Sequence, residues 1–368
     1  MMLRPIQAIA ATITTCRRND ARQLMRLVMR PPTRGPAAAP MPAAPLTSYI
    51  SWRASFVLQV LIVAAIIWLG RSISDPPLPA QRPAFDWLGA ALSALGLFFV
   101  VFGVLQSGAY GWGTATQDYA IGDTVIIHQG GISPVWIYMG IGVVILALFV
   151  GSAWAREKNG RAPLVSLRLF TNRTSNLGLL TQNLQWLVLQ GAFFVISVFL
   201  QQVRNFSAIE TGLVLLPATI GLLLSSAAAP RMARRHSQRR LIRFGFFVTA
   251  LGLGLLLALG GTNPSVWSYL PGLFLMGVGV GIMLTASVNL VQSAWPENVQ
   301  GDISGVSRSV SNLGSSLGVA IAGSLVAGAI PGGGQYFSAL VIVGAFAAVG
   351  WLAALLIPNE PQKKAQRT

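Results

Sequence analysis

Nine long apolar runs constrain this sequence more than any other feature. Each is long enough to cross a hydrocarbon layer of about 30 Å at a helical rise of about 1.5 Å per residue. Backbone groups inside a bilayer have no water to bind, so such a run must pair them internally, as a helix does. Barrel strands would show shorter, alternating segments. The predicted spans are 54–70, 86–107, 134–155, 176–203, 207–229, 240–260, 268–293, 302–329 and 335–357.

The composition agrees with this assignment. The chain has 368 residues, of which 53% are hydrophobic and only 10% are charged, whereas an ordinary soluble domain carries roughly 25% charged residues. There is too little charge to coat a water-facing surface of this size. The sequence therefore predicts an all-α polytopic membrane protein with about nine transmembrane helices.

The basic residues between the runs predict the orientation of the chain in the membrane. One set of connections, together with the C-terminal tail, holds sixteen Lys and Arg residues, whereas the opposite set holds only Arg204. Cytoplasmic loops carry such an excess, so the C-terminus is predicted to be cytoplasmic. The sixteen residues are Arg71, Arg82, Arg156, Lys158, Arg161, Arg168, Arg173, Arg231, Arg234, Arg235, Arg239, Arg240, Arg243, Lys363, Lys364 and Arg367.

Residues 1–50 differ from the rest of the chain. They hold seven Arg, a single acid at Asp20 and an Ala/Pro-rich run at 35–46, which predicts a disordered basic arm. Nine spans with a cytoplasmic C-terminus would place this arm outside the cell, although such basic segments resist export. Either the first span is not fully inserted or further helices precede it, and we favour the second explanation.

Several classes of function do not fit the residue inventory. Cys16 is the only cysteine, and His128 and His236 are the only histidines, so we predict no disulfide, no metal site, no cofactor and no catalytic residue. The net charge of +16 follows the membrane loops, which argues against nucleic acid as a partner. A polytopic lipid-modifying enzyme is kept as an alternative, although it would require clustered His, Asp or Glu at one interface.

Five segments resemble the fourteen-helix drug:proton antiporter branch of the major facilitator superfamily, the multidrug and quaternary-ammonium exporters. The similarity covers about 51–357 and occurs in several segments in the same order, which makes it more specific than one short motif. The segments are SWRASFV at 51–57, the stretch 83–113 with FDWLG and GAYGWG, PLVSLRLF at 163–170, the hairpin 199–217 and the glycine- and serine-rich helix 301–323.

This resemblance implies how the chain is organised. The nine spans would correspond to helices six to fourteen of the family, with helices one to five absent. Residues 51–160 would form one N-terminal and two central helices, and residues 161–368 the C-terminal six-helix bundle with its cytoplasmic tail. The implied location is a bacterial inner membrane. The implied activity is efflux of hydrophobic or cationic compounds in exchange for protons.

Two polar stripes are candidates for the substrate path. Asn183, Trp186 and Gln190 share one face of the fourth span, which lines the path in the family. Thr285 and Asn289, followed by Gln292, form a similar stripe in the seventh span. Hydrogen bonding between helices is the alternative for both stripes.

Charged residues provide further candidates. Arg308, inside the eighth span, would either face a cavity or extend to the membrane interface. The basic loop 230–243 aligns with the gating loop of the family, but Arg234 stands where that pattern has Asp. Setting the topology is therefore the competing interpretation. The candidate gating residues are Arg231, Arg234, Arg235, Arg239 and Arg240.

Other features of the spans are interpreted as structural. Asp86, Glu210 and Asp302 lie at span edges, where helix starts favour negative charge, rather than at the centres expected of proton relays. Small residues allow helices to approach closely, which is how we interpret the glycines. These are Gly277, Gly279, Gly281, Gly314 and Gly318.

The sequence thus favours a membrane transporter that exports drugs. The leading alternative is an inactive or assembly-dependent transporter that requires a separate N-terminal half, because the family transports by rocking two halves around a central site. The predicted partners are the lipid bilayer, small hydrophobic or cationic substrates, and protons.

Overall fold

The computed structural model describes residues 52–71, 85–121, 124–260, 265–327 and 334–358. These ranges contain nine α-helices, a small β-hairpin and three short 3-10 turns. The predicted arm at 1–50 lies outside them. The helices are α1 (Trp52–Gly70), α2 (Trp87–Tyr110), α3 (Pro134–Lys158), α4 (Arg173–Gln202), α5 (Ala208–Ala233), α6 (Gln238–Gly260), α7 (Leu270–Ser293), α8 (Gln300–Ala327) and α9 (Gly334–Leu355).

Each predicted span coincides with one of these helices. Helices α2 to α9 are long and apolar enough to cross a membrane, and α1 contributes a shorter apolar stretch, Val60–Gly70. The prediction of an all-α polytopic membrane protein is confirmed. The boundaries moved by a few residues, chiefly where charged ends such as Arg156 and Lys158 continue α3 beyond its apolar run.

The chain separates into two compact units, residues 1–78 and 79–368. In the first unit the structure describes α1, whose side chains from Val60 to Gly70 are exposed. Trp68, for example, is 69% exposed. Exposed apolar side chains along a helix are expected where hydrocarbon rather than water is the solvent.

In the second unit, α2 and α3 form an antiparallel hairpin. Their backbones approach closely, because a Cβ atom added to Gly142 would lie 2.8 Å from the backbone nitrogen of Val100. The connecting loop carries two short antiparallel strands, β1 (Tyr119–Ile121) and β2 (Thr124–Ile127). Helix α2 also packs against α8, which joins the hairpin to the following bundle.

Helices α4 to α9 form a six-helix bundle arranged around two of its members. Helix α4 packs on α7, α8 and α9, while α7 packs on α5 and α6. The interior is apolar, and residues such as Val188, Ala192, Leu273 and Met276 are fully buried. The outward faces carry exposed Leu and Phe side chains, as expected of a surface in contact with lipid.

Close backbone contacts hold α7 in place. Cβ atoms added to Gly277, Gly279 and Gly281 would lie 2.0 to 2.5 Å from backbone carbonyl oxygens of α5 or α6. The interpretation of these glycines as close helix contacts is confirmed. Such contacts place van der Waals attraction along the whole crossing, which matters in lipid because the hydrophobic effect does not hold helices together there.

The acidic residues at the span edges begin helices. Asp86 is the N-cap of α2 and accepts a hydrogen bond from the backbone N–H of Gly89. Ser207 and Glu210 form a capping box at α5, and Asp302 lies in the first turn of α8. The helix-start interpretation is confirmed for all three, since each satisfies or complements N–H groups that have no partner within the helix.

Candidate substrate path

A buried hydrogen-bond network connects α4 to α8. The side-chain amide of Gln182 donates to the Ser311 hydroxyl at 2.8 Å, and its carbonyl oxygen accepts from the Ser307 hydroxyl at 2.9 Å. All three side chains are buried. The amide therefore has partners on consecutive turns of α8, which fixes both the spacing and the rotation of the two helices.

A second buried amide connects α4 to α7. The Ser287 hydroxyl lies 2.9 Å from the side-chain carbonyl oxygen of Gln185, which is 1% exposed, and it also contacts the Met283 carbonyl oxygen. Among the described residues, Nε2 of Gln185 has no hydrogen-bond partner. Gln185 therefore contacts α7 through one end of its side-chain amide.

The backbones of α4 and α8 touch beside this network. Cβ atoms added to Gly314 and Gly318 would lie 2.3 Å from the carbonyl oxygens of Asn183 and Leu187, respectively. The Asn183 amide donates to the Val310 carbonyl oxygen at 2.9 Å. The prediction of a close contact at the Gly314–Gly318 pair is confirmed, and it explains how the amides of α4 reach α8.

The predicted stripe on α4 has a mixed environment. Asn183, Trp186 and Gln190 are all half-buried. Asn183 bonds to α8, as described, and the ring of Trp186 packs against a core cluster that includes Leu184 and Met283. The three side chains share one face as predicted, and Asn183 is used for contact between helices.

The predicted stripe on α7 spreads across the edge of the bundle. Thr285 is half-buried and Asn289 is exposed. The Gln292 amide donates to the Ser304 hydroxyl of α8 at 3.2 Å. Helix α8 is therefore the common neighbour of the two candidate stripes, because Asn183 and Gln292 both bond to it.

Helix α8 also carries an exposed polar face. Its exposed residues recur at helical spacing, and Arg308 is one of them. Arg308 thus points out of the bundle, away from the buried Ser307 and Ser311. We call this the α8 polar face, formed by Gly305, Arg308, Ser309, Asn312 and Ser316.

The arginines of the basic loop divide into two groups. Arg231, Arg234, Arg235 and Arg240 are exposed, whereas Arg239 is half-buried. Nη2 of Arg239 donates to the carbonyl oxygen of Leu355, at the end of α9, at 2.9 Å.

Arg243 bonds to the same end of α9. Its guanidinium donates to the carbonyl oxygens of Ala354 and Leu355 at 3.1 and 2.9 Å. Cations stabilise the C-terminal end of a helix, where carbonyl groups have no partner within the helix. Arg239 and Arg243 therefore fasten α9 to the start of α6, while the other four arginines stay open to solvent or lipid headgroups.

A further polar contact lies at the end of the α2–α3 hairpin. The buried carboxylate of Asp86 accepts a hydrogen bond from the backbone N–H of Leu164 at 3.1 Å and lies 3.4 Å from Nε of Arg156. Glu157 accepts hydrogen bonds from Ser166 and from the backbone N–H of Leu167. These acids fold the linker before α4 back onto the hairpin.

The sequence did not predict the roles of five buried polar residues, Gln182, Gln185, Ser287, Ser307 and Ser311. A signal for them existed, because Ser307 and Ser311 lie four residues apart and Gln182 and Gln185 three apart, so each pair shares a helix face. Sequence alone does not say which faces meet.

Within the described residues, no group of three or more His, Cys, Asp or Glu is placed to hold a metal ion.

Several known proteins resemble this sequence over most of its length. The multidrug resistance protein B homologue of Mycobacterium tuberculosis is 27% identical over 304 residues, covering 81% of this chain and 52% of that protein. The probable actinorhodin transporter of Streptomyces coelicolor is 28% identical over 283 residues, covering 75% and 45%. The multidrug efflux pump LfrA of Mycolicibacterium smegmatis is 26% identical over 294 residues, covering 80% and 53%.

The chain thus spans about half the length of the curated relatives it matches. Those relatives carry the names of transporters and resistance proteins. The sequence model of the Major Facilitator Superfamily matches residues 34–319 of this chain. That match covers most of the chain and includes α1 to α7 and much of α8. The chain therefore belongs to the major facilitator superfamily.

Proposed function

We propose that the chain takes part in the export of hydrophobic or cationic drugs, with α4, α7 and α8 forming one wall of the substrate path. The observation that carries the proposal is the α8 polar face. Arg308 is the ninth residue of α8, and an Arg that faces lipid costs up to about 2.5–3.5 kcal/mol at a helix centre and less towards the helix ends. A face with Arg308 and Asn312 exposed therefore suits a water-filled path or a second protein wall better than hydrocarbon.

The other wall would come from the N-terminal half of a complete transporter, whichever polypeptide carries it. Transporters of this kind bind substrate near the membrane midplane between two halves. The curated relatives are about twice as long as the matched region, which supports this arrangement. Under the assembly-dependent alternative, the chain is active only beside that second half. We further propose proton exchange as the energy source, on the family resemblance alone.

Cysteine accessibility tests whether the α8 polar face meets water. Single cysteines at Ser309→Cys and Asn312→Cys would be made in a Cys16→Ser background, since Cys16 is the only natural cysteine. We expect a membrane-impermeant maleimide to label both in intact membranes. Leu223→Cys, on the outward face of α5 where the natural leucine is 61% exposed, is the matched control and should stay unlabelled. Equal protection at all three positions would contradict the proposal.

Dye efflux tests the activity itself. In cells that express the chain, accumulation of a hydrophobic cationic dye should fall, and Asn183→Ala, Gln190→Ala or Arg308→Ala should restore it. Gln201→Ala, at the exposed end of α4, is the control and should export dye like the parent. Under the assembly-dependent alternative, dye accumulation falls only when a polypeptide with the preceding helices is present.

The chain is a multi-pass membrane protein and its relatives are bacterial, which implies a location in the inner membrane. We propose that its C-terminus faces the cytoplasm. The basic loops and tail support this orientation. The exposed arginines Arg231, Arg234, Arg235 and Arg240 would then lie at the cytoplasmic surface, where they set the topology or take part in gating.

A further inference from the structure

A small apolar cavity lies at the end of the bundle opposite the basic loop 230–243. Its volume is about 80 Å³. The walls come from the last turns of α4 and α6, the residue before α7 and the first turns of α9. The principal lining residues are Ile196, Phe199, Leu256, Tyr269, Tyr336 and Leu340.

The polar groups of the lining are already engaged by the protein. The Tyr269 hydroxyl donates to the Gly260 carbonyl oxygen at 3.1 Å. The Tyr336 hydroxyl donates to the Gln202 side chain at 2.9 Å. Water in a cavity requires two to four polar partners, and apolar cavities stay dry. The cavity therefore suits an apolar group better than water.

Three aromatic rings in the lining raise the question of a cationic ligand. The ring centroids of Tyr269 and Tyr336 lie 6.3 and 5.5 Å from that of Phe199. Aromatic rings attract cations, but the guanidinium carbon of Arg204 already lies 5.9 Å from the Phe199 centroid. A second cation would be repelled by the first. The occupant that fits this cavity is uncharged.

Arg204 indicates which kind of polar group fits at the edge of the cavity. Its Nη2 group lies 3.1 Å from the Tyr269 hydroxyl oxygen and donates to it, so the cation is held at the edge of the cavity. The loops at this end contain no other Lys or Arg. Arg204 is therefore the basic residue that an anionic headgroup would meet at this end of the bundle.

The position of the cavity along the helices also fits a lipid. Leu256 and Leu340 lie four residues from Gly260 and Tyr336, so the cavity reaches about 6 Å, roughly one turn, into the bundle from its end. Trp267, in the neighbouring loop, is 78% exposed, as is common where membrane meets water. At that depth a phospholipid presents the first methylenes of its acyl chains.

We propose that this cavity binds the upper segment of one acyl chain of an anionic phospholipid, with the phosphate against Arg204. The remainder of the chain would continue along the outside of α6 and α9, where Phe337 is 47% exposed. The proposal does not depend on transport activity.

Photocrosslinking of the full-length chain in membranes tests the proposal. The probes are phosphatidylglycerol and phosphatidylcholine that carry the same diazirine close to the acyl ester. We expect phosphatidylglycerol to label peptides containing Leu257 and Phe337 at least threefold more strongly than phosphatidylcholine. A phosphatidylglycerol with its diazirine at the chain terminus should label these peptides at least threefold less, because that end lies deeper in the bilayer.

Two variants separate the cavity from the headgroup contact. Leu257 also lines the cavity, so Leu257→Trp fills it and should reduce the phosphatidylglycerol labelling at least fivefold. Leu251→Trp is the matched control, because Leu251 is on the same helix but 52% exposed, and it should label like the parent. Arg204→Gln leaves the cavity open and should remove the preference for phosphatidylglycerol.

Specific results would overturn the proposal. One is equal labelling of the parent chain by the phosphatidylglycerol and phosphatidylcholine probes. Another is phosphatidylglycerol labelling of Leu257→Trp at the level of the parent chain. A third is stronger labelling of the same peptides by a diazirine-bearing alkylammonium probe, which would assign the cavity to a cationic amphiphile. If Leu257→Trp does not fold, the headgroup preference and its loss in Arg204→Gln decide the question independently.

Discussion

At the scale of single residues, buried amides determine how α4 meets its neighbours. Gln182 bonds to two serines of α8, and Gln185 bonds to Ser287 of α7. In a membrane protein each interhelical hydrogen bond contributes on average about 0.6 kcal/mol. The amides therefore add moderate stability, and their larger effect is to specify which helix faces meet.

Replacement of Gln182 by Ala tests this role. The change removes two hydrogen bonds and leaves Ser307 and Ser311 without their partner, so we expect a loss of about 1 kcal/mol in the free energy of unfolding. Tryptophan fluorescence during denaturation in detergent would measure it. Gln201→Ala removes an amide from the exposed end of the same helix and should change the free energy by less than about 0.5 kcal/mol. Equal effects of the two variants would refute the role.

Asp86 offers a second test at a single residue. Its carboxylate caps α2, holds the backbone of Leu164 and pairs with Arg156. Removing one partner of a buried ion pair costs about 3–5 kcal/mol, and because Arg156 is partly exposed we expect a value near 3 for Asp86→Ala. The same unfolding measurement applies. Asp302→Ala, at an exposed helix start, is the control and should cost less than about 1 kcal/mol.

At the scale of helices, small residues determine which pairs pack closely. Helix α8 touches α4 through Gly314 and Gly318, and α7 touches α5 and α6 through its own glycines. Dispersion forces between backbones at such distances replace the hydrophobic effect, which does not act between helices in lipid. The exposed polar face of α8 lies beside this contact, so the position of that face depends on the glycines.

Gly318→Ala should disturb this packing directly. The added Cβ would lie 2.3 Å from the Leu187 carbonyl oxygen, and because backbone cannot rotate away, we expect a cost of about 1–3 kcal/mol. Thermal unfolding in detergent would detect it. Gly305→Ala is the matched control on the same helix, since no atom lies within 4 Å of its Cβ position. That change should be neutral or slightly stabilising, and a comparable loss there would contradict the explanation.

At the scale of the whole molecule, the distribution of charge predicts the orientation in the membrane. The arginines that follow α5 and begin α6 lie at one end of the bundle, and Arg204 lies at the other. Cytoplasmic loops collect Lys and Arg. The C-terminal end of α9, bonded to Arg239 and Arg243, lies at the arginine-rich end.

Impermeant labels would measure this orientation. We expect a cysteine in place of Asp118 to react in intact cells, and one in place of Gln362 to react only after the membrane is opened. Both cysteines belong in the Cys16→Ser background. Labelling of both positions from the same side would refute the predicted orientation.

The apolar runs were sufficient to predict the nine helices of the described residues, the fold class and the helix-start acids, because hydrocarbon length and helix ends act locally along the chain. Which faces meet was decided by the tertiary structure. Gln182 and Ser307 lie 125 residues apart in the sequence. Helical periodicity shows which face of its own helix each residue occupies, but it does not show which other helix packs against that face. For the same reason the sequence could not show that Arg239 binds α9 while the arginines beside it are exposed. Only tertiary packing brings the end of α9 to the start of α6.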